Sequence, residues 1–318
     1  VRSAGESRLA TSAWWADFWR RSWITVANRS GSLHDRQRAF NVTRGYAVSR
    51  YLNAIQSRGT FPIHHNGGTV TWGSPRAHEN PDYRFWGGAY WMQNTRHMYW
   101  PMLSSGDIDL MEPLFRMYVE WMLPAMEARA KRWWNASGAA FAETAYFFGA
   151  YTPANYGCNR SHVPDVTDAF IKHHYEGGVE LCYMLLRAYD HRSGDTTLLT
   201  TRVLPFCASI VRFYDTRYKR NRTSGQLYIS PAQALETYWE CDDPVPEVAA
   251  LHRILDALNA LPSTYTTMEQ RQLFERISKS LPSIQFLTKA NSTVISPCRP
   301  GGLTNFTKVK NHEEPQLY

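Results

Sequence analysis

The residues best suited to chemistry are concentrated in Asp82-Tyr-Arg-Phe-Trp-Gly-Gly-Ala-Tyr-Trp-Met-Gln-Asn-Thr-Arg-His-Met-Tyr-Trp-Pro101, where aromatic rings alternate with amides and cations. A sugar offers apolar C–H faces ringed by hydroxyls, so its site needs flat rings for stacking beside directional donors and acceptors. This stretch supplies both, and it predicts a sugar-binding wall with Trp86, Trp91, Gln93, Arg96 and His97 as contacts. The same residues also suit an aromatic core with an internally satisfied polar network, and the sequence leaves both readings open.

A second segment, Gly225 to Glu240, sets Glu236 among Leu235, Tyr238 and Trp239 in a loop expected to lead into a helix. An apolar setting disfavours a carboxylate and raises its pKa toward the range useful for a general acid, which glycosidic cleavage requires. Trp239 joins the expected sugar contacts, whereas Glu240, Asp242 and Asp243 read as surface or capping acids. The third segment, Asn311 to Tyr318, holds Glu313 and Glu314 just before a proline. Cleavage with inversion needs a second carboxylate roughly 6.5–9.5 Å from the first to activate water, a role open to Glu313 or Glu314. His64-His65 and His173-His174 lack a third ligand at metal spacing, so neither a metal site nor a cofactor is expected. No Gly-rich phosphate loop, nucleophile elbow or H-E-x-x-H motif occurs, which removes kinases, α/β-hydrolases and zinc proteases as leading readings.

Helical periodicity dominates the elements that must carry these groups. Helices are expected over Glu6–Val26, Asp35–Ser57, Gly88–Ser104, Asp107–Arg132, Asp168–Asp190, Thr196–Arg217, Glu247–Leu261 and Met268–Ser280, with a loop or short-strand region at Thr60–Asp82. Asp107 and Asp195, each following Ser-Gly, are expected N-terminal caps. No fixed-period repeat is visible, and paired helices joined by informative loops suggest concentric rings rather than a solenoid. One domain over residues 1–318 is expected, cut short where the helical alternation stops at Tyr318.

With 318 residues, 43% apolar and 14% aromatic, the chain can bury a large core. Its 35 Lys and Arg against 28 Asp and Glu are scattered, and the densest cluster, Arg217 to Arg222, reads as a solvated face, so no nucleic-acid partner is expected. No apolar run approaches the roughly 18 residues of a membrane span, so no membrane partner is expected either. Seven N-x-S/T sequons (Asn28, Asn41, Asn135, Asn159, Asn221, Asn291, Asn305) against about two expected by chance favour secretion through a glycosylating pathway. Of the five cysteines, two or four can pair and at least one is left over, and Cys182, on an apolar helical face, is expected as a buried thiol.

Across most of its length the chain resembles the six-hairpin glycosidases of the α-L-fucosidase type, which are family 95-like. The resemblance is carried by Asp82-Tyr83, by His97-Met-Tyr-Trp-Pro101, by Glu176-Gly-Gly-Val-Glu-Leu-Cys182, by Ser193-Gly194-Asp195 with Leu204-Pro205, and by Pro231-Ala-Gln-Ala-Leu-Glu236. It implies an all-α (α/α)6 toroid, incomplete at the C-terminus, with a neighbouring β-sandwich domain outside this chain. It implies that Glu236 is the general acid and that Asn94 helps to hold the attacking water. The family has two asparagines for that water, and Met92 stands where the other would be. The family's base is an aspartate, near whose place Glu313 lies. The expectation is therefore a secreted inverting glycoside hydrolase acting on polysaccharide side chains. A non-catalytic carbohydrate-binding relative and a polysaccharide lyase, served by Arg96, His97 and Tyr99, remain as alternatives.

Overall fold

Helix starts are where this chain declares itself most plainly. In a computed structural model describing residues 2–29, 31–64, 89–149, 169–192, 194–289 and 292–305, Ser3 and Glu6 form a reciprocal capping box at α1 (Ala4–Arg21). Ser32 and Asp35 do the same for α2 (Leu33–Gln56). Each box satisfies backbone N–H groups that the first helical turn leaves without partners. The expected first helix ran on to Val26, but the backbone turns extended at Ser22, and Leu9 and Trp23 are exposed.

The chain forms two compact units, residues 1–85 with 95–114 and residues 86–94 with 115–318. In the first, α1 and α2 are joined by the C-terminal part of α3 (Met92–Ser105) and a 3-10 turn at Ile108–Met111. Phe18, Tyr99 and Met111 are fully buried there. Arg50, 6% exposed, lies over the Phe18 ring and grips Asp107 with two hydrogen bonds of 2.8 and 2.7 Å. Its remaining donors reach the carbonyls of Ser22 and Phe18. Asp107 thus does not cap the following turn as expected. A charge buried this deeply is stable only with a full set of partners, and Arg50 claims the carboxylate.

The second unit begins with β1 (Tyr90–Trp91), which pairs antiparallel with β2 (Thr144–Ala145) and delays the start of α3 to Met92. The segment α4 (Glu112–Phe115), a π-helical stretch and α5 (Leu123–Trp134) continue one into the next, ending at Asn135 in the left-handed conformation. α6 (Glu176–His191) is buried almost all round, as a central helix requires. α7 (Thr196–Leu198), capped by Asp195 as expected, leads through a second π-helical stretch into α8 (Leu204–Arg217). α9 (Val245–Asn259) and α10 (Met268–Ser280) follow, the latter capped by Thr267 and Gln270. α6 packs on α9, α9 on α10, and α10 on α8.

Short antiparallel ladders join these helices: β3 (Lys219–Arg220) with β4 (Leu227–Tyr228), and β5 (Ala232–Ala234) with β6 (Tyr238–Cys241). β7 (Phe286–Lys289) pairs with β8 (Ser292–Ile295), and β9 (Leu303–Asn305) adds to β6. The region after Pro231 is therefore a hairpin, not the expected approach to a helix. Asp243, expected at the surface or as a cap, is 2% exposed, held by the Ile229 N–H and by an ion pair with Arg299.

Candidate functional site

Two sequence-distant pieces meet in the second unit. From α3, the Gln93 side chain donates to a Glu236 carboxylate oxygen at 2.5 Å. Glu236 sits at the tip of the β5–β6 hairpin and is 8% exposed. It follows Leu235, whose φ of 57° places a branched residue in the left-handed region. Such conformations persist only where the surroundings over-determine them. Here the β5–β6 pairing does so, together with the Trp239 indole N–H donated to the Glu236 carbonyl at 2.8 Å.

The hairpin is fixed from below by Gln233, which is fully buried. Its side chain accepts from the His173 N–H at 3.1 Å and donates to the Phe170 carbonyl. Phe170 then meets Trp239 edge to face, with ring centroids 5.1 Å apart. Trp239 is half-buried.

On the other side, Glu143 anchors the start of α3, a role the sequence reading missed. Its carbonyl accepts the Met92 N–H at 2.9 Å and its carboxylate accepts the Gln93 N–H at 2.5 Å. Glu143 is 2% exposed and donates its own N–H to the His174 carbonyl at 3.1 Å. The available signal was a lone glutamate directly after the apolar run Ala139-Ala-Phe-Ala142. An acid placed there must have partners to be buried.

Met92 points elsewhere. It is 1% exposed and packs where a Cβ on Gly177 would come within 3.1 Å of the Met92 Cβ. α6 can approach this closely because Gly177 and Gly178 carry no side chain. Asn94 lies half-buried beside Gln93. The Asn94 Oδ1 and Gln93 Oε1 are buried without a hydrogen-bond partner among the described residues.

Behind this wall lie more buried acids. His174 Nε2 and Glu176 Oε2 are 3.2 Å apart. Glu247, in the first turn of α9, is 1% exposed, and neither carboxylate oxygen has a hydrogen-bond partner among the described residues. Burial, followed by the neighbouring Glu176, pushes the Glu247 pKa well above the usual carboxylate range, against the opposing pull of His174. Burial, with Lys172 and Arg217 adding to it, lowers His173 to about 4. Among the described residues no three His, Cys, Asp or Glu side chains are grouped to hold a metal ion.

The structure thus brings Gln93, Asn94, Glu236 and Trp239 into one unit, with Trp91 half-buried on β1. Arg96 and His97 belong to the first unit, Arg96 buried and His97 exposed on α3. Trp86, Glu313 and Glu314 lie outside the described residues.

Comparison with known proteins identifies the family of the chain. The model of the glycosyl hydrolase family 95 catalytic domain matches residues 19–288, more than half of the chain. A solved chain titled "Putative kojibiose phosphorylase from human microbiome" aligns with a TM-score of 0.44 and 14% identity, over 63% of this chain. The match spans 29% of the length of that chain. A search of curated proteins found no match. The chain belongs to the glycosyl hydrolase family 95 catalytic domain family, and its fold class is the all-α (α/α)6 toroid type.

Proposed function

We propose that the chain is a glycoside hydrolase that cleaves sugar units from polysaccharide or glycan side chains with inversion, Glu236 acting as general acid. The observation that carries this reading is the contact between Gln93 and Glu236, 143 positions apart in the chain. A buried carboxyl group beside a polar wall has the two properties that protonation of a leaving oxygen requires. It is 8% exposed, and one of its oxygens is oriented by an amide. The Gln93 side-chain N–H engages Oε1, and the carboxyl proton passes to the glycosidic oxygen as the bond breaks. Glu143 keeps Gln93 in register by holding its backbone.

In this reading the unpartnered oxygen of Asn94 accepts a hydrogen bond from the attacking water, and Glu313 takes that water's proton from the opposite face of the sugar. Trp86, Trp91 and Trp239 stack on the ring, and Gln93 meets its hydroxyls. The chain works as a secreted glycoprotein. Asn41, Asn135 and Asn221 of its sequons are exposed, and removal of N-glycans from protein made in a glycosylating host is expected to lower its mass in steps.

The test is incubation of wild type and Glu236→Gln with a panel of plant and microbial glycans, following released sugar and its anomeric form by NMR at early times. Wild type is expected to release a sugar of inverted configuration, and the variant to lose about 10²–10⁴-fold in rate. Undiminished turnover in the variant would remove Glu236 from the mechanism. A second reading, carbohydrate binding without turnover, is favoured by Met92, whose burial leaves Asn94 as the one amide of the family's water-holding pair. It predicts affinity for a glycan with no released product.

A further inference from the structure

The cysteines left aside by the catalytic reading occupy defined places. Cys241 ends β6, the strand that returns from Glu236, and Cys298 lies in the segment between β8 and β9. Each is 2% exposed, and the two share one buried apolar cluster with Ala234 against Tyr238. Their backbones run side by side. The Arg299 N–H donates to the Asp242 carbonyl at 2.9 Å, the Val245 N–H to the Pro297 carbonyl at 3.0 Å, and the Asp242 N–H to the Gly302 carbonyl at 3.0 Å. The Arg299–Asp243 ion pair and the Ser296 hydroxyl donated to the Cys298 carbonyl close the arrangement on both sides.

We infer that Cys241 and Cys298 form a disulfide that ties the Glu236 hairpin to the segment between β8 and β9. A disulfide demands closely spaced backbones with converging side chains. Here the residues following both cysteines are already hydrogen-bonded to each other, and the two side chains share one buried cluster. The neighbouring Cys298 thiol, with burial, holds the Cys241 thiol far above the ordinary thiol range, so the folded thiol form is a poor nucleophile. The bond therefore forms while the chain folds and the sulfurs are accessible. The oxidant is a small disulfide such as oxidised glutathione. One cysteine thiolate attacks it and expels a glutathione thiolate. The second cysteine thiolate attacks the resulting mixed disulfide and expels another. Two protein thiols become one disulfide, and their two protons end on the two glutathione thiols.

Cys182 and Cys207 offer a contrast. They face each other from α6 and α8, fully buried, and the Cys207 thiol is directed at the Cys182 carbonyl at 4.0 Å. Among the described residues no backbone hydrogen bond joins the neighbours of this pair, so both are expected as thiols.

The test is to fold the whole chain in a buffer of reduced and oxidised glutathione, alkylate free thiols after denaturation, digest without reduction and map peptides by mass spectrometry. The expected result is a linked peptide pair joining Cys241 to Cys298, two hydrogens lighter than the sum of its parts, with Cys182 and Cys207 alkylated. Recovery of Cys241 and Cys298 in separate alkylated peptides, or of either joined to another cysteine, overturns the assignment. Reduction of the oxidised wild type is also expected to lower its Tm by several degrees and to speed amide exchange in residues 232–241. An unchanged Tm and unchanged exchange on reduction contradict the proposed tie.

Discussion

The polar clusters of the two units obey different rules. In the first, Arg50 and Asp107 are buried and saturated: the guanidinium meets two carboxylate oxygens, two backbone carbonyls and an aromatic ring. In the second, Gln93, Asn94 and Glu247 are fixed by their elements yet keep oxygens without partners among the described residues. A buried polar group left unpaired costs about 1–3 kcal/mol, so a fold that keeps several together is holding them for something other than stability. Saturation marks a group that builds the fold. In the proposed function, the oxygens of Gln93 and Asn94 that lack partners among the described residues are the ones a ligand would meet.

This contrast can be broken by mutation. The largest effect is expected for Arg50→Ala, which removes the nearest cation from the buried Asp107, leaving it the Ser105 hydroxyl and Arg21 at 3.5 Å, and costs about 3–5 kcal/mol in urea unfolding. A loss below about 1 kcal/mol would mean that the saturated cluster is not structural. Met92→Ala is expected to cost about 2–5 kcal/mol, because this side chain fills the space in front of Gly177 rather than the site.

Glu247 sharpens the contrast through pH. Its folded pKa lies above its unfolded value of about 4.5, so below 4.5 both states are protonated and it has no effect on stability. As pH rises above that value the unfolded chain gives up its proton while the folded one retains it. Stability should then fall by up to about 1.4 kcal/mol per pH unit relative to Glu247→Gln, until the folded group also ionises. Parallel stability profiles for the two proteins between pH 5 and pH 7, roughly the window above the unfolded carboxylate pKa, would contradict this. The smallest effect on stability belongs to Asn94→Ala, expected to change unfolding by less than about 1 kcal/mol while lowering turnover or sugar affinity. A large loss of stability would move Asn94 into the structural class.

What the sequence disclosed follows the range of the forces involved. α10 and the start of α2 were legible because their capping boxes are local, with Thr267 and Gln270, and Ser32 and Asp35, three residues apart. The all-α class and the family were legible from helical periodicity and from motifs such as Glu176-Gly-Gly, whose glycines admit close packing. The hairpin carrying Glu236 was not, because its anchors lie far off in sequence: Gln233 to His173 and Phe170, and β9 against β6. Asp107 was misread for the same reason: its short-range chemistry suits a cap, but a distant arginine competes for it. Glu143 went unnoticed because nothing near it in sequence hints that its carboxylate holds the Gln93 backbone.

The central claim is that Glu236, set against Gln93, donates a proton to the departing sugar oxygen. Leaving-group dependence tests it most directly, using the glycan that wild type cleaves and an activated aryl glycoside of the same sugar. Glu236→Gln should slow cleavage of the natural bond by about 10²–10⁴-fold while sparing most of the activity on the aryl glycoside, whose leaving group departs without a proton. An equal loss on both substrates, or no loss on either, would contradict the account.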